Sequence, residues 1–159
     1  MPSGTIVTSV EDVVAVVSGI FESSQREIVL LTPPSLLSIA GTYHTVERAK
    51  QFIQNGGVLR GITTISPANV EEVRMRLDIG VDLRHSDQPH ELYVFVGDRQ
   101  RSISGINIGI DEYTLATPVT AFWSESPAYA EYLLVSFENA WAEAVPAEER
   151  IQELLSDGV

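Results

Sequence analysis

Three observations predict an α/β fold with a mixed, mainly parallel sheet and helices on both faces. Amphipathic helical stripes alternate with short apolar runs from Val10 to Arg84. Two strand-like segments then flank a tight turn at Gly97-Asp98-Arg99, which pairs them antiparallel. A long amphipathic stretch containing Leu133, Phe137 and Trp141 closes the chain.

Ser9 precedes a stripe of Val10, Val13, Val14, Val17, Ile20 and Phe21, and Asp12 stands where it can complete the cap. This predicts the first helix, ending near Ser23-Ser24. Glu27 to Leu31 is a short continuous apolar run stopped by Thr32-Pro33-Pro34, as in a strand buried on both faces. Thr45 opens a second helix with Val46, Ala49, Phe52 and Ile53 inward, closed by Asn55-Gly56-Gly57. Val58 to Ile65 is the next strand. Ser66-Pro67 starts a third helix through Val70, Val73 and Leu77, stopped by Gly80, and a strand follows at Val81 to Arg84.

Leu92 to Val96 and Ser102 to Asn107 form the hairpin. After a loop at 111–118, Thr120 to Trp123 is the last strand, and Ser126-Pro127 opens the long helix. A short helix, Ala147 to Leu155, makes 146–159 a helical tail on a single domain spanning 1–159. Thr32 to His44 lacks clear periodicity, with a short helix around Leu36 to Ile39 as the competing interpretation.

At 159 residues the chain is long enough for a core that needs no staples. Cysteine is absent, which removes disulfides, thiol nucleophiles and Cys-based zinc sites. No apolar run is long enough to span a bilayer and no signal peptide is recognisable, so a soluble, cytoplasmic protein is expected. The formal charge of −12, from 22 acidic against 10 basic residues, disfavours direct contact with nucleic acid or anionic membrane. Lys50 is the only lysine, an acid-rich, lysine-poor composition resembling that of halophile proteins or of a GC-rich genome.

Glu91-x-Tyr93-x-x-x-x-Asp98, six further residues, then Gly105, carries the most specific spacing in the chain. It resembles the phosphodiesterase motif of the phospholipase D superfamily, HxKxxxxD followed after six residues by Gly-Ser-x-Asn. Asp98 and Gly105 keep the frame, whereas Glu91 replaces His, Tyr93 replaces Lys, Ile106 replaces Ser and Ile108 replaces Asn. A frame shifted by one residue restores His90 but puts Leu92 on the lysine and Gly97 on the aspartate. Taken locally, the same residues also make an ordinary hairpin.

The order of elements, with the hairpin and Phe137 to Trp141, resembles one half of a phospholipase D-like fold, in particular the effector-sensing domain of TrmB-type archaeal transcription regulators. The resemblance implies a site at the sheet end where the family's catalytic residues converge, and pairing of halves through a homodimer. It places Thr32, Ser35, Tyr43, Thr63, Glu91, Tyr93, Asn107 and Trp123 at that site as ligand-binding residues.

With the nucleophile and phosphate clamp replaced, the expected function is a non-catalytic domain binding a small neutral or cationic effector in transcriptional or other regulation, without a cofactor. The alternatives are a metal-dependent phosphodiesterase using Glu91 and Asp98, or a protein-interaction module with no small ligand. His44, His85 and His90 lack helical metal-pair spacing, and His85, Asp87 and His90 form the only local cluster of ligand type. Hydrogen-bonded loop histidines are the simpler account.

Overall fold

The computed structural model describes residues 3–34, 45–88, 92–106 and 120–157. The expected helix around Leu36 to Ile39, the loop at 111–118 and the Asn107 end of the hairpin lie outside them. In chain order the elements are β1 (Thr5–Val7), α1 (Val10–Ser23), β2 (Glu27–Leu31), α2 (Thr45–Gln54), β3 (Val58–Thr63), α3 (Val70–Asp78) and β4 (Asp82–His85). They continue with β5 (Leu92–Gly97), β6 (Arg101–Ile106), β7 (Thr120–Ser124), α4 (Pro127–Glu143), β8 (Val145–Pro146) and α5 (Ala147–Ser156).

The strands form one eight-stranded sheet in the order β1-β7-β6-β5-β2-β3-β4-β8. The sheet is mixed, as expected, but not mainly parallel. Parallel pairing joins β2 to β3 and β3 to β4, while the remaining joins are antiparallel. Beyond the hairpin, β5 joins β2 and β7 joins β6 antiparallel, and the short edge strands β1 and β8, of three and two residues, are too brief for a periodic signal and each adds a further antiparallel join.

Side-chain alternation divides the core between the two faces. Ile28, Leu59, Leu83, Tyr93, Phe95 and Ile103 pack with Ile20 and Phe21 of α1, Phe52 of α2, Val73 of α3 and Ile151 of α5. Val29, Leu31, Ile62, Val94 and Val96 point the other way, against Leu133, Leu134, Phe137 and Trp141 of α4. The described helices therefore cover both faces, four of them on one and α4 on the other. Arg60 and Arg84 flank α4, with their guanidinium carbons 5.2 and 4.0 Å from the centre of the Trp141 ring. Arg84 also donates to the Trp141 carbonyl at 2.7 Å, so both cations rest on an aromatic surface.

Capping fixes two helix starts as the sequence suggests: Ser9 accepts from the Asp12 N–H at 3.1 Å, and Ser126 from that of Tyr129 at 3.3 Å. The third helix begins at Val70 rather than at Ser66-Pro67. Asn69 accounts for the delay, because its side chain accepts from the Ser66 N–H at 2.9 Å and donates to the Thr64 carbonyl at 2.8 Å. That local turn competes successfully with helical geometry.

Candidate functional site

The end of the sheet formed by the carboxyl termini of β2, β3 and β4 carries a row of side chains held by strand register. Gly105 lies opposite Tyr93 and Ala121, while Thr63 lies opposite His85. The pairs Leu31–Val94 and Leu31–Ile62 bring Thr32 between Tyr93 and Thr63, and the Thr32 N–H bonds to the Ile62 carbonyl at 3.1 Å. The resulting line runs Gly105, Tyr93, Thr32, Thr63, His85 across β6, β5, β2, β3 and β4. It crosses the point where the chain, having moved from β2 outward to β4, returns to the other side of β2 as β5. Ligand crevices of α/β sheets form at such switch points.

Thr32, Thr63, His85 and Tyr93 are all buried, with Thr63 fully inaccessible. The Thr32 hydroxyl donates to the Pro33 carbonyl at 3.2 Å. The Thr63 hydroxyl has no hydrogen-bond partner among the described residues, an arrangement that costs stability unless something satisfies it. Tyr93 stacks beside Phe95, ring centres 6.5 Å apart, and burial pushes its phenol pKa well up, keeping it neutral.

His85 is committed on both ring nitrogens. Nδ1 accepts from the Ile65 N–H at 2.8 Å, so the hydrogen of the neutral ring sits on Nε2 and donates to Asp87 Oδ1 at 2.7 Å. No free lone pair is left for nucleophilic attack. Of the expected cluster His85, Asp87 and His90, the first two are therefore a hydrogen-bonded pair, and His90 lies outside the described residues. No group of three or more metal-ligating side chains is assembled among the described residues.

The two retained residues of the motif frame part company. Gly105 sits in the row. Asp98 is at the other end of the β5–β6 hairpin, in a turn where Asp98 and Arg99 have φ of 49° and 57°. Its carboxylate accepts three backbone N–H bonds, from Gln25 at 2.8 Å and from Arg26 and Glu27 at 2.9 Å each. Its own N–H donates to the Glu27 carbonyl at 2.8 Å. Partial burial opposes ionisation, but the N–H bonds from Gln25, Glu27 and Arg26 and the Arg26 charge outweigh it and hold the carboxyl below its ordinary range. Asp98 thus clamps the hairpin to the start of β2.

Of the eight expected ligand-binding residues, Thr32, Thr63 and Tyr93 meet in the row, whereas Ser35, Tyr43, Glu91 and Asn107 lie outside the described residues. Trp123 is a correction. It pairs with Ile103 on β7, two strands from Tyr93 and nearer the opposite end, and packs against the core. The strand end at Trp123 is not the site end, because β7 runs antiparallel to β6. His85 is the row member absent from both that set of eight and the motif frame; two-residue alternation after Leu83 places it on the same face, but only the β3–β4 register sets it beside Thr63.

No protein-family model matches the sequence, and no curated protein matches it. Its fold is that of a phospholipase D-like half-domain. The chain is similar in structure to Nuc, a phospholipase D family member from Salmonella typhimurium, with a TM-score of 0.71 and 16% identity over 92% of this chain and 98% of that one. It is also similar to TrmBL2, an archaeal chromatin protein described with a novel mode of DNA binding, with a TM-score of 0.67 and 13% identity over 91% of this chain and 54% of that one. At these identities the likeness defines the fold. No described helix is long and apolar enough to cross a membrane.

Proposed function

We propose that this chain is a non-catalytic phospholipase D-like domain that binds a small effector at the carboxyl ends of β2 and β3, and that it acts in regulation as a homodimer. The observation that carries the reading is the neutral row. Tyr93 occupies the place of the motif's phosphate-binding lysine and is buried beside Thr32 and an unpartnered Thr63 hydroxyl. A phosphoryl group would need cationic stabilisation there; hydroxyls instead suit a neutral or cationic ligand that donates and accepts hydrogen bonds.

Asp98 supports the same reading from another direction. Its carboxylate serves the backbone of β2, so the motif spacing persists for a structural reason without the chemistry. The likeness to TrmBL2 supports a regulatory setting, and the acidic surface favours a partner chain or region for any contact with DNA.

The test is hydrolysis of a chromogenic phosphodiester with and without magnesium or manganese, together with molar mass in solution. The expected result is no turnover above the protein-free rate, and a dimer. Turnover abolished by Glu91→Gln would overturn the reading in favour of a metal-dependent phosphodiesterase.

A further inference from the structure

The chain passes from α2 into β3 through Asn55-Gly56-Gly57, and Asn55 is its only asparagine followed by glycine. Asn55 and Gly56 are exposed just beyond the end of α2. Gly56 has a φ of 97°, a conformation that favours glycine, and a glycine carries no side chain to screen its nitrogen from the preceding carboxamide. That nitrogen donates to the Ile53 carbonyl at 2.9 Å, and the Asn55 N–H to the Gln51 carbonyl at 3.0 Å. Both bonds belong to the final turn, and helix ends open more readily than helix centres. The other asparagines are placed differently. Asn69 is buried, its carboxamide is held by Ser66 and Thr64, and the branched Val70 follows it. Asn139 lies inside α4 and precedes Ala140, and Asn107 lies outside the described residues.

An asparagine carboxamide carbon and the next backbone nitrogen are joined through the same main chain, so their reaction is intramolecular and favoured by proximity. When the final turn opens and Gly56 N is released from Ile53, that nitrogen attacks Asn55 Cγ and gives up its proton to solvent base. The new C–N bond closes a five-membered imide, and the carboxamide C–N bond breaks to release ammonia. Water then opens the imide at either carbonyl. Cleavage at Cγ gives aspartate, whereas cleavage at the Asn55 backbone carbonyl leaves the chain running through Cγ as isoaspartate, one methylene longer.

We infer that Asn55 is a covalent modification site, at which the folded chain deamidates spontaneously and the isoaspartate product strains the join between α2 and β3. Either product puts a negative charge at the carboxyl end of α2, where the helix dipole opposes it. The lengthened backbone has a second effect, because the turn has no slack. Gly57 lies so close under the Phe52 ring that a Cβ there would collide with it, and its N–H donates to the Phe52 carbonyl at 3.0 Å. The next N–H, of Val58, donates to the Arg26 carbonyl at 2.9 Å and sets Val58 opposite Glu27 at the start of the β2–β3 pair. An extra methylene between Asn55 and Gly56 must break the turn or disturb that register.

The inference is tested by incubating the full chain, folded, in mildly alkaline buffer and following the tryptic peptide Gln51–Arg60 by mass spectrometry, with fragmentation that separates isoaspartate from aspartate. The peptide should gain about 1 Da with time, chiefly as isoaspartate. The rate should exceed that at Asn69 or Asn139 at least about tenfold, a barrier difference of about 1.4 kcal/mol. Asn55→Gln should abolish the gain. The incubated protein should unfold at a lower temperature than the fresh one, and lower than Asn55→Asp, which carries the charge without the longer backbone. The inference is overturned if the folded chain gains no mass at Asn55 while the chain in urea does, or if Asn69 or Asn139 reacts as fast. Unfolding of the isoaspartate form at or above the midpoint of Asn55→Asp would overturn the strain at the join.

Discussion

Replacing Asp98 by alanine removes the acceptor of three backbone N–H bonds at 2.8, 2.9 and 2.9 Å. Hydrogen bonds to a charged group contribute roughly 1.5–3 kcal/mol each when sheltered. The Gln25 and Arg26 donors are exposed and regain water, while the Glu27 donor is partly buried. The net cost is therefore about 3 kcal/mol rather than the full sum. For a domain of this length that lowers the midpoint of thermal unfolding by roughly 6–12 °C. The folded-state pKa of Asp98 is depressed, so its contribution is present above the unfolded carboxyl pKa and disappears as pH falls through the folded value. The difference between parent and Asp98→Ala should be constant near neutrality and narrow below about pH 4. Urea unfolding of both proteins across pH measures this, with Asp98→Asn, which keeps one acceptor oxygen, expected between them. A cost under about 0.5 kcal/mol, the size typical of ordinary surface changes, or a gap that does not narrow at all in acid, refutes the clamp, since only the strain of alanine at a φ of 49° is independent of pH.

Thr63→Val replaces an unpartnered buried hydroxyl by a methyl group of the same shape, so the ligand-free protein should gain about 1 kcal/mol in urea unfolding. Two glycine substitutions should have opposite signs. A Cβ on Gly97 would collide with Ser24 Oγ and Ile20 Cγ2, and Gly97→Ala should cost about 1–3 kcal/mol. Gly19 lies inside α1 with open space around its would-be Cβ, so Gly19→Ala should add about 0.5–1 kcal/mol by the same measurement. Acid excess makes repulsion the dominant surface term, so raising KCl from about 0.1 to about 1 M, shortening the Debye length from about 10 to about 3 Å, should raise the thermal midpoint. A midpoint that falls with salt would show that attractive pairs such as Arg99–Glu131 dominate.

Most of the fold was legible because periodicity and punctuation agreed. The stripe from Val10 to Phe21, the apolar run Glu27 to Leu31 and the Gly97-Asp98-Arg99 turn each carry a local signal, and each became the expected element. What the chain hides is set by long-range pairing. Thr5–Val7 is a strand only because β7 lies beside it, and Pro146 ends the sheet only because Arg84 is opposite. The candidate site divides in the same way. Tyr93, Thr32 and Thr63 end strands on one face, which alternation makes readable. The register that adds His85, and the strand direction that removes Trp123, belong to tertiary structure. The role of Asp98 was equally invisible, since its three donors lie 71 to 73 residues earlier in the chain.

The most direct test of an effector site at the neutral row is thermal unfolding against a library of sugars, amino acids, polyamines and nucleotides, run in parallel on the parent, Thr63→Val and Tyr93→Phe. A true effector at 100 times its dissociation constant should stabilise the parent by about 2.7 kcal/mol, and at least one of the two variants should lose most of that gain. Stabilisation that survives in both variants, or a folded parent that no compound stabilises, would contradict the account.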